Sequence, residues 1–256
     1  MATNKYPATE HVREAYDRVM AHVAAAAHRS GRQPEDVLVV AVTKNASIDQ
    51  IHALVEIGHK DLGESRVQQL EQRVTQLEAD TRDPMTTGDL TAGKPESRPD
   101  VRWHLVGHLQ RNKVRQAVPL VYLIHSVDSL RLAEALHQYT AKREQQIEIL
   151  VQVNASAEPS KSGVAISAAR PLIEQICALS NLKLRGLMTM APHFENPDDT
   201  RATFVQTTQL FHDICDAGSA GSNFNILSMG MSNDYSIAIE EGANMVRIGR
   251  ALFGEI

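Results

Sequence analysis

Three stretches of this 256-residue chain carry residue types that do chemistry together. Lys44 directly follows the apolar run Val39-Val40-Ala41-Val42-Thr43. A lysine whose charged form is penalised by a low-dielectric pocket offers a neutral amine, and a neutral amine attacks an aldehyde to form a Schiff base. Position alone equally allows a lysine that starts a loop and points into solvent. The second stretch is Ser228-Met229-Gly230-Met231-Ser232-Asn233-Asp234, and the third is Arg247-Ile248-Gly249-Arg250-Ala251. Small residues let the backbone approach a ligand closely, and N–H groups at a helix start hold an anion such as phosphate. Neither stretch fits GxxxxGK[ST], so the glycines are not those of a P-loop. Each alone reads as well as an ordinary glycine turn; the two together, with a strand-end lysine, point to an amine beside a phosphate grip.

The remaining polar stretches say less. His104 and His108 are four residues apart in Trp103-His104-Leu105-Val106-Gly107-His108. They straddle a strand end and a glycine instead of sharing one helical face, and no carboxylate accompanies them as in HExxH, so no metal site is expected. Near a barrel mouth, a histidine and the only tryptophan line a pocket or pack beside it. The loop Asn154-Ala155-Ser156-Ala157-Glu158-Pro159-Ser160-Lys161 adds a second amine, of the solvated loop kind. Met188, Met190, Met229 and Met231 read as core or pocket filler, and no Ser/His/Asp order stands out as a nucleophile constellation.

The elements that must position these residues alternate regularly. Residues 37–43 lack polar alternation, as a strand buried on both faces of a parallel sheet does. Further strands are expected at 60–62, 101–106, 121–124, 147–153, 183–187, 225–227 and 245–248. Helices are expected at 48–57, 65–79, 110–118, 128–143, 167–179, 199–217 and 235–241, with an additional one at 9–29 before the first strand. Eight strands, each but the last followed by a helix, predict an α/β fold, a single (β/α)8 TIM-like barrel with an extra N-terminal helix. An open doubly wound sheet would place a glycine-rich fingerprint after the first strand, and Thr43-Lys44-Asn45-Ala46-Ser47 has no glycine. Residues 80–100 are polar and rich in Pro, Gly, Thr and Asp, and read as a surface loop insertion in one domain spanning 1–256.

Composition removes whole classes of function. With 43% apolar residues the chain can bury a core without crosslinks. A net charge of −5 leaves no basic field for nucleic acid or anionic lipid. No apolar run approaches the roughly 20 residues that span a bilayer, and the polar start is unlike a signal peptide. Cys177 and Cys215 have no ligand or redox spacing and suit a reducing cytoplasm.

In order along the chain stand AVTK (41–44), LGE (62–64), WHLVGHLQRNK (103–113), NASAEPSKSG (154–163), RGLM (185–188), LSMGMSND (227–234) and VRIGRALFG (246–254). This set resembles the pyridoxal phosphate homeostasis proteins, relatives of the alanine racemase N-terminal barrel, over about residues 37–254. The resemblance implies a fold type III PLP-binding barrel in which Lys44 holds pyridoxal 5′-phosphate as a Schiff base. It implies that Ser232, Gly249 and the backbone of Arg250 receive the phosphate, with Gly230 and Met231 shaping the cradle. Arg247 would face the pyridine nitrogen and, with its very high pKa, leave that nitrogen unprotonated. Two positions depart from the family's usual pattern: Ser65 stands where GEN has asparagine, and Arg250 stands where RIGT or RIGS has a hydroxyl.

The function this implies is intracellular PLP homeostasis, buffering or delivery, by a cytoplasmic monomer. PLP-requiring apoenzymes are the partners implied, with no nucleic acid and no membrane. A PLP-dependent amino-acid racemase is the alternative. It needs acid/base groups on both faces of the α-carbon, and in racemases the second comes from a C-terminal domain. Only Glu255 and Ile256 follow Gly254, so that domain is not expected here. A Schiff-base aldolase acting on a sugar phosphate ranks lower still.

Overall fold

The computed structural model describes residues 9–80, 100–156, 162–192 and 194–254. The insertion at 80–100, apart from its two end residues, and Lys161 lie outside the described residues. Nine strands run along the described residues: β1 (Leu38–Val42), β2 (Asp61–Glu64), β3 (Arg102–Leu105), β4 (Leu123–Val127), β5 (Ile147–Asn154), β6 (Val164–Ala165), β7 (Leu182–Thr189), β8 (Ile226–Ser228) and β9 (Met245–Ile248). All pairings are parallel. The order β4-β3-β2-β1-β9-β8-β7-β5 is closed by β4 pairing with β5, so eight strands form a barrel and no open edge remains among them. The two-residue β6 clips onto the end of β5.

Around the barrel lie α2 (Ile48–Glu56), α3 (Val67–Asp80), α4 (Val114–Ala117), α5 (Leu130–Ala141), α6 (Ile166–Cys177), α7 (Arg201–Asp216), α8 (Tyr235–Glu240) and α9 (Arg250–Phe253). Helix α1 (Thr9–Arg29) precedes β1 and packs on α2, α8 and α9. Its stripe of Val12, Val19, Val23, Ala26 and Ala27 is buried, as the helical spacing predicts. His22 Nδ1 lies 3.1 Å from the Tyr235 hydroxyl, and Arg29 pairs with Glu240 at 2.8 Å. No helix among the described residues is long and apolar enough to cross a membrane.

Two apolar layers follow from strand alternation. Val39, Ala41, Leu187, Val246 and Ile248 face the helices and belong to the large outer core. Val40, Leu123, Leu150, Met188 and Met245 form a smaller cluster of their own inside the barrel. The connection from β1 to α2 is set by a reciprocal cap. Ser47 Oγ accepts the Gln50 N–H at 3.2 Å, and the Gln50 side chain accepts the Ser47 N–H at 2.9 Å. Gln50 Nε2 then donates to the Phe253 carbonyl at 3.1 Å, tying α2 to α9. Ser47→Ala should cost about 0.5–2 kcal/mol, the worth of an N-cap, read as a lower thermal midpoint; an unchanged midpoint would discount the cap.

The structure departs from the sequence-based expectation in several places. The fourth strand runs to Val127, past the polar pair His125-Ser126, because these polar side chains are buried inside the fold and break only the apolar pattern. The helix expected at 110–118 is a 3-10 turn, Arg111–Lys113, followed by one α turn. The helix expected from 199 opens with the 3-10 turn Pro197–Thr200. The last strand is followed by a helix after all, the four-residue α9.

Candidate functional site

At the carboxyl ends of the strands lies a cavity of about 710 Å³. Loops at this end of a barrel can vary freely while the strands hold them in place, which is why such sites gather here. Six of the expected residues line it: Lys44, Met231, Ser232, Arg247, Gly249 and Arg250. Gly230 stands behind the lining. Its φ of +88° lets the chain turn from β8, and a Cβ there would lie 2.7 Å from the Ala238 Cβ. Asp234 Oδ1 fixes the same turn by accepting the Met231 N–H at 2.6 Å.

Ser232 and the first turn of α9 form one wall. The Ser232 hydroxyl accepts the N–H groups of Gly249 and Ala251, each at 3.3 Å. Two backbone donors and a hydroxyl converge there, beside the exposed Arg250. Gly249 presses against β1: a Cβ on it would sit 3.0 Å from the Val42 carbonyl oxygen, two residues before Lys44. Lys44 itself is exposed, where sequence reasoning considered a desolvated amine. Position, not burial, is what recommends it.

Arg247 lies on β9 and is 3% exposed. Its Nη1 donates to Ser228 Oγ at 2.6 Å and its Nη2 to the Thr189 carbonyl at 2.8 Å. Burial lowers its pKa to about 10, with the charge of Asp234 working in the opposite direction. It therefore stays cationic at neutral pH, deep in the barrel. A buried cation, an amine and a set of anion donors around one cavity can hold a phosphorylated aldehyde, with the amine for the carbonyl and the donors for the phosphate.

Beside Lys44, Thr43 Oγ1 donates to Glu64 Oε1 at 2.6 Å, while Glu64 Oε2 has no hydrogen-bond partner among the described residues. Burial pushes the Glu64 carboxyl above its ordinary value, and Thr43 and Arg73 offset only part of this. A raised folded-state pKa gives stability that is present below the unfolded value and lost as pH rises through the folded one. Glu64→Gln should therefore raise the thermal midpoint relative to the natural chain at pH 8 and not at pH 4. A difference that stays constant with pH would exclude this account.

Several site residues escaped sequence reasoning. Ser228, Thr189 and His125 hold Arg247 from behind, and the Ala251 N–H joins the donors. Gln152 also lines the cavity, and so do Ser65 and His108, two positions already singled out from the sequence. For Ser228, Thr189, His125 and Gln152 the signal was a polar residue on an otherwise apolar strand. His104 and His108 part company. His104 lies wholly buried within the barrel, bonded to Asp61 and His125, whereas His108 reaches the cavity, with Asp128 3.5 Å away. Trp103 does not line the site; it packs in the outer core.

Comparison with known proteins agrees with this geometry. The family model described as alanine racemase, N-terminal domain, matches residues 14–256. The chain is 34% identical to the pyridoxal phosphate homeostasis protein of Aquifex aeolicus over 94% of this chain and 97% of that protein. It is 33% identical to the protein of the same name from Pseudomonas aeruginosa, covering 93% and 92%. Among solved structures, an unknown protein from Bifidobacterium adolescentis superposes with a TM-score of 0.82 at 30% identity, covering 96% of this chain and 95% of that one. PipY of Synechococcus elongatus, solved with PLP bound, gives 0.73 at 32% identity, covering 90% and 100%. An alanine racemase of Clostridium difficile gives 0.66 at 14% identity and is covered over 56% of its length, a likeness of fold alone.

Proposed function

The chain belongs to the family of pyridoxal phosphate homeostasis proteins, built on the alanine racemase N-terminal domain, and from that premise we propose that it binds pyridoxal 5′-phosphate and serves PLP homeostasis as a holder. The observation that carries the reading is the joint placement of Lys44, the Ser232–Gly249–Ala251 donors and the buried Arg247 around one cavity. When bound, PLP supplies an aldehyde that condenses with a primary amine, releasing water, and a pyridine ring that can withdraw electrons from the attached carbon.

Lys44 provides the amine at the cavity mouth. The N–H groups of Gly249 and Ala251, the Ser232 hydroxyl and Arg250 provide the phosphate grip, with Gly230 and Met231 shaping its turn. Arg247 presents a permanent donor to the ring nitrogen. A donor without a removable proton at neutral pH leaves that nitrogen unprotonated, and an unprotonated ring is a poor electron sink. Such a site holds the cofactor but draws carbanion charge into its ring poorly, which suits a holder. In our reading residues 1–256 act as one unit, a cytoplasmic monomer that buffers PLP or delivers it to PLP-requiring apoenzymes.

The decisive experiment is transfer. PLP-loaded protein should reactivate a defined PLP-requiring apoenzyme while a scavenger removes free PLP, and no reactivation under those conditions would argue against delivery. Sustained conversion of an L-amino acid to its D-form, lost in Lys44→Ala, would overturn the non-catalytic part of the proposal.

A further inference from the structure

Inside the barrel, an unbroken line of hydrogen bonds runs from the amino-end mouth to the cavity. Arg102 Nη2 donates to Asp61 Oδ2 at 2.5 Å, and Asp61 Oδ1 lies 3.0 Å from His104 Nε2. His104 Nδ1 lies 3.0 Å from His125 Nε2, and His125 Nδ1 lies 3.1 Å from Ser228 Oγ, which accepts from Arg247. Asp61, His104, His125, Ser228 and Arg247 are all buried, whereas the Arg102 side chain is 42% exposed. None of this is needed to fill space, since an apolar layer could do so at lower desolvation cost.

The direction of the line is set from the Arg247 end, and the Asp61 end agrees with it. A guanidinium only donates, so Ser228 Oγ accepts from Arg247 and must spend its own proton elsewhere. Its only other partner among the described residues is His125 Nδ1, so that nitrogen accepts and Nε2 carries the hydrogen. His125 then donates to His104 Nδ1, and His104 donates through Nε2 to Asp61. From the far end, hydrogen bonds from His104 and Arg102 hold the Asp61 carboxyl below its ordinary value against burial, so Asp61 accepts and His104 Nε2 carries the hydrogen. His104 Nδ1, facing the hydrogen on His125 Nε2, is the acceptor of that pair. Burial, with the charge of Arg247 adding to it, disfavours a charged His125.

We propose that Asp61, His104, His125 and Ser228 are positioning residues for Arg247, a one-way hydrogen-bond chain that ties its guanidinium to a carboxylate at the opposite mouth of the barrel. Every bond donates away from Arg247 and toward Asp61. Each bond polarises the next, so the carboxylate strengthens Ser228 as an acceptor and fixes the guanidinium in one orientation. The charge of Arg247 thus has its balance in two places, Asp234 nearby and Asp61 through the chain. Among the described residues, Arg102 over the Tyr122 ring, His59 on the Asp61 carbonyl and Lys60 paired with Asp100 face the outer end, and the Tyr122 ring also lies against His104. The consequence for a ring nitrogen at Arg247 rests on the cofactor reading; the chain itself does not.

The test is histidine 15N NMR on the full-length protein, without PLP and again after loading. At neutral pH both His104 and His125 should be uncharged and protonated on Nε2. Asp61→Asn should convert His125, which does not touch Asp61, from that single tautomer to a mixture. Ser228→Ala should do the same, and Ser228→Thr, which keeps the hydroxyl, should restore the natural signal. Nδ1 protonation of His125 in the natural protein, or a doubly protonated imidazole at neutral pH, would overturn the direction. A change confined to His104 in Asp61→Asn would overturn transmission. Should Asp61→Asn not fold, Arg102→Gln keeps the carboxylate and removes only its half-exposed partner. His125 resonances must then move, and unmoved resonances would refute the chain. If the NMR signature is present in a protein that takes up no PLP, the cofactor reading fails and this one stands.

Discussion

Loading the protein with PLP and reducing it with borohydride should leave the cofactor's mass on Lys44, and Lys44→Ala should carry none while melting at nearly the same temperature. Lys44 is the only lysine among the described residues that line the cavity. It is exposed, and its main-chain carbonyl accepts from Gln69 Nε2 at 2.6 Å, a bond that survives the substitution. Stability should therefore change by no more than about 0.5 kcal/mol, the usual range for an exposed side chain. The effect on the cofactor should be large by comparison. Visible absorbance from the covalent linkage should vanish, because an alanine offers no nucleophile, while the phosphate donors on Ser232, Gly249 and Ala251 remain. The variant should still take up PLP weakly and release it on dialysis, which separates the covalent attachment from the phosphate grip. A borohydride-stable mass on another residue, Lys161 included, would remove Lys44 from its role.

How much of this was legible beforehand depended on which face of a strand carried the information. Outward faces such as Val39 and Ala41 meet apolar helices, so their runs announce strands, and eight βα units imply a closed barrel. Gly230, Ser232 and Gly249 were legible because backbone turns and donor clusters require small residues at fixed offsets from a strand end. The inward polar residues were not. Asp61, His104, His125 and Ser228 are successively 43, 21 and 103 residues apart, and sequence spacing says nothing about which of them meet across a barrel. That blindness also misplaced the end of β4, where His125 and Ser126 looked like the start of a loop. Of the two places the sequence allowed Trp103, the structure leaves only packing: its neighbour His104 points inward, so alternation sends the indole outward into the helix layer.

Arg247→Glu should move the spectrum of the PLP-loaded protein toward that of a protonated pyridine ring, and it should do so at a cost in stability. The guanidinium donates to Ser228 Oγ and to the Thr189 carbonyl, and a carboxylate can donate to neither. It would leave the Thr189 carbonyl without that donor and place a negative charge at a position only 3% exposed. Breaking a buried charged arrangement costs about 3–5 kcal/mol, so the thermal midpoint should fall by roughly 10 °C in a chain of this size. Bound PLP should recover part of that loss, because a protonated ring nitrogen gives the new carboxylate the partner that the protein lacks. Arg247→Gln separates the two effects: it removes the charge, keeps a donor, and should leave the ring unprotonated. If Arg247→Glu, Arg247→Gln and the natural protein share one spectrum from pH 6 to 9, Arg247 does not face the ring nitrogen. If only Arg247→Glu shifts, a single buried residue sets how strongly this barrel can use its cofactor as an electron sink.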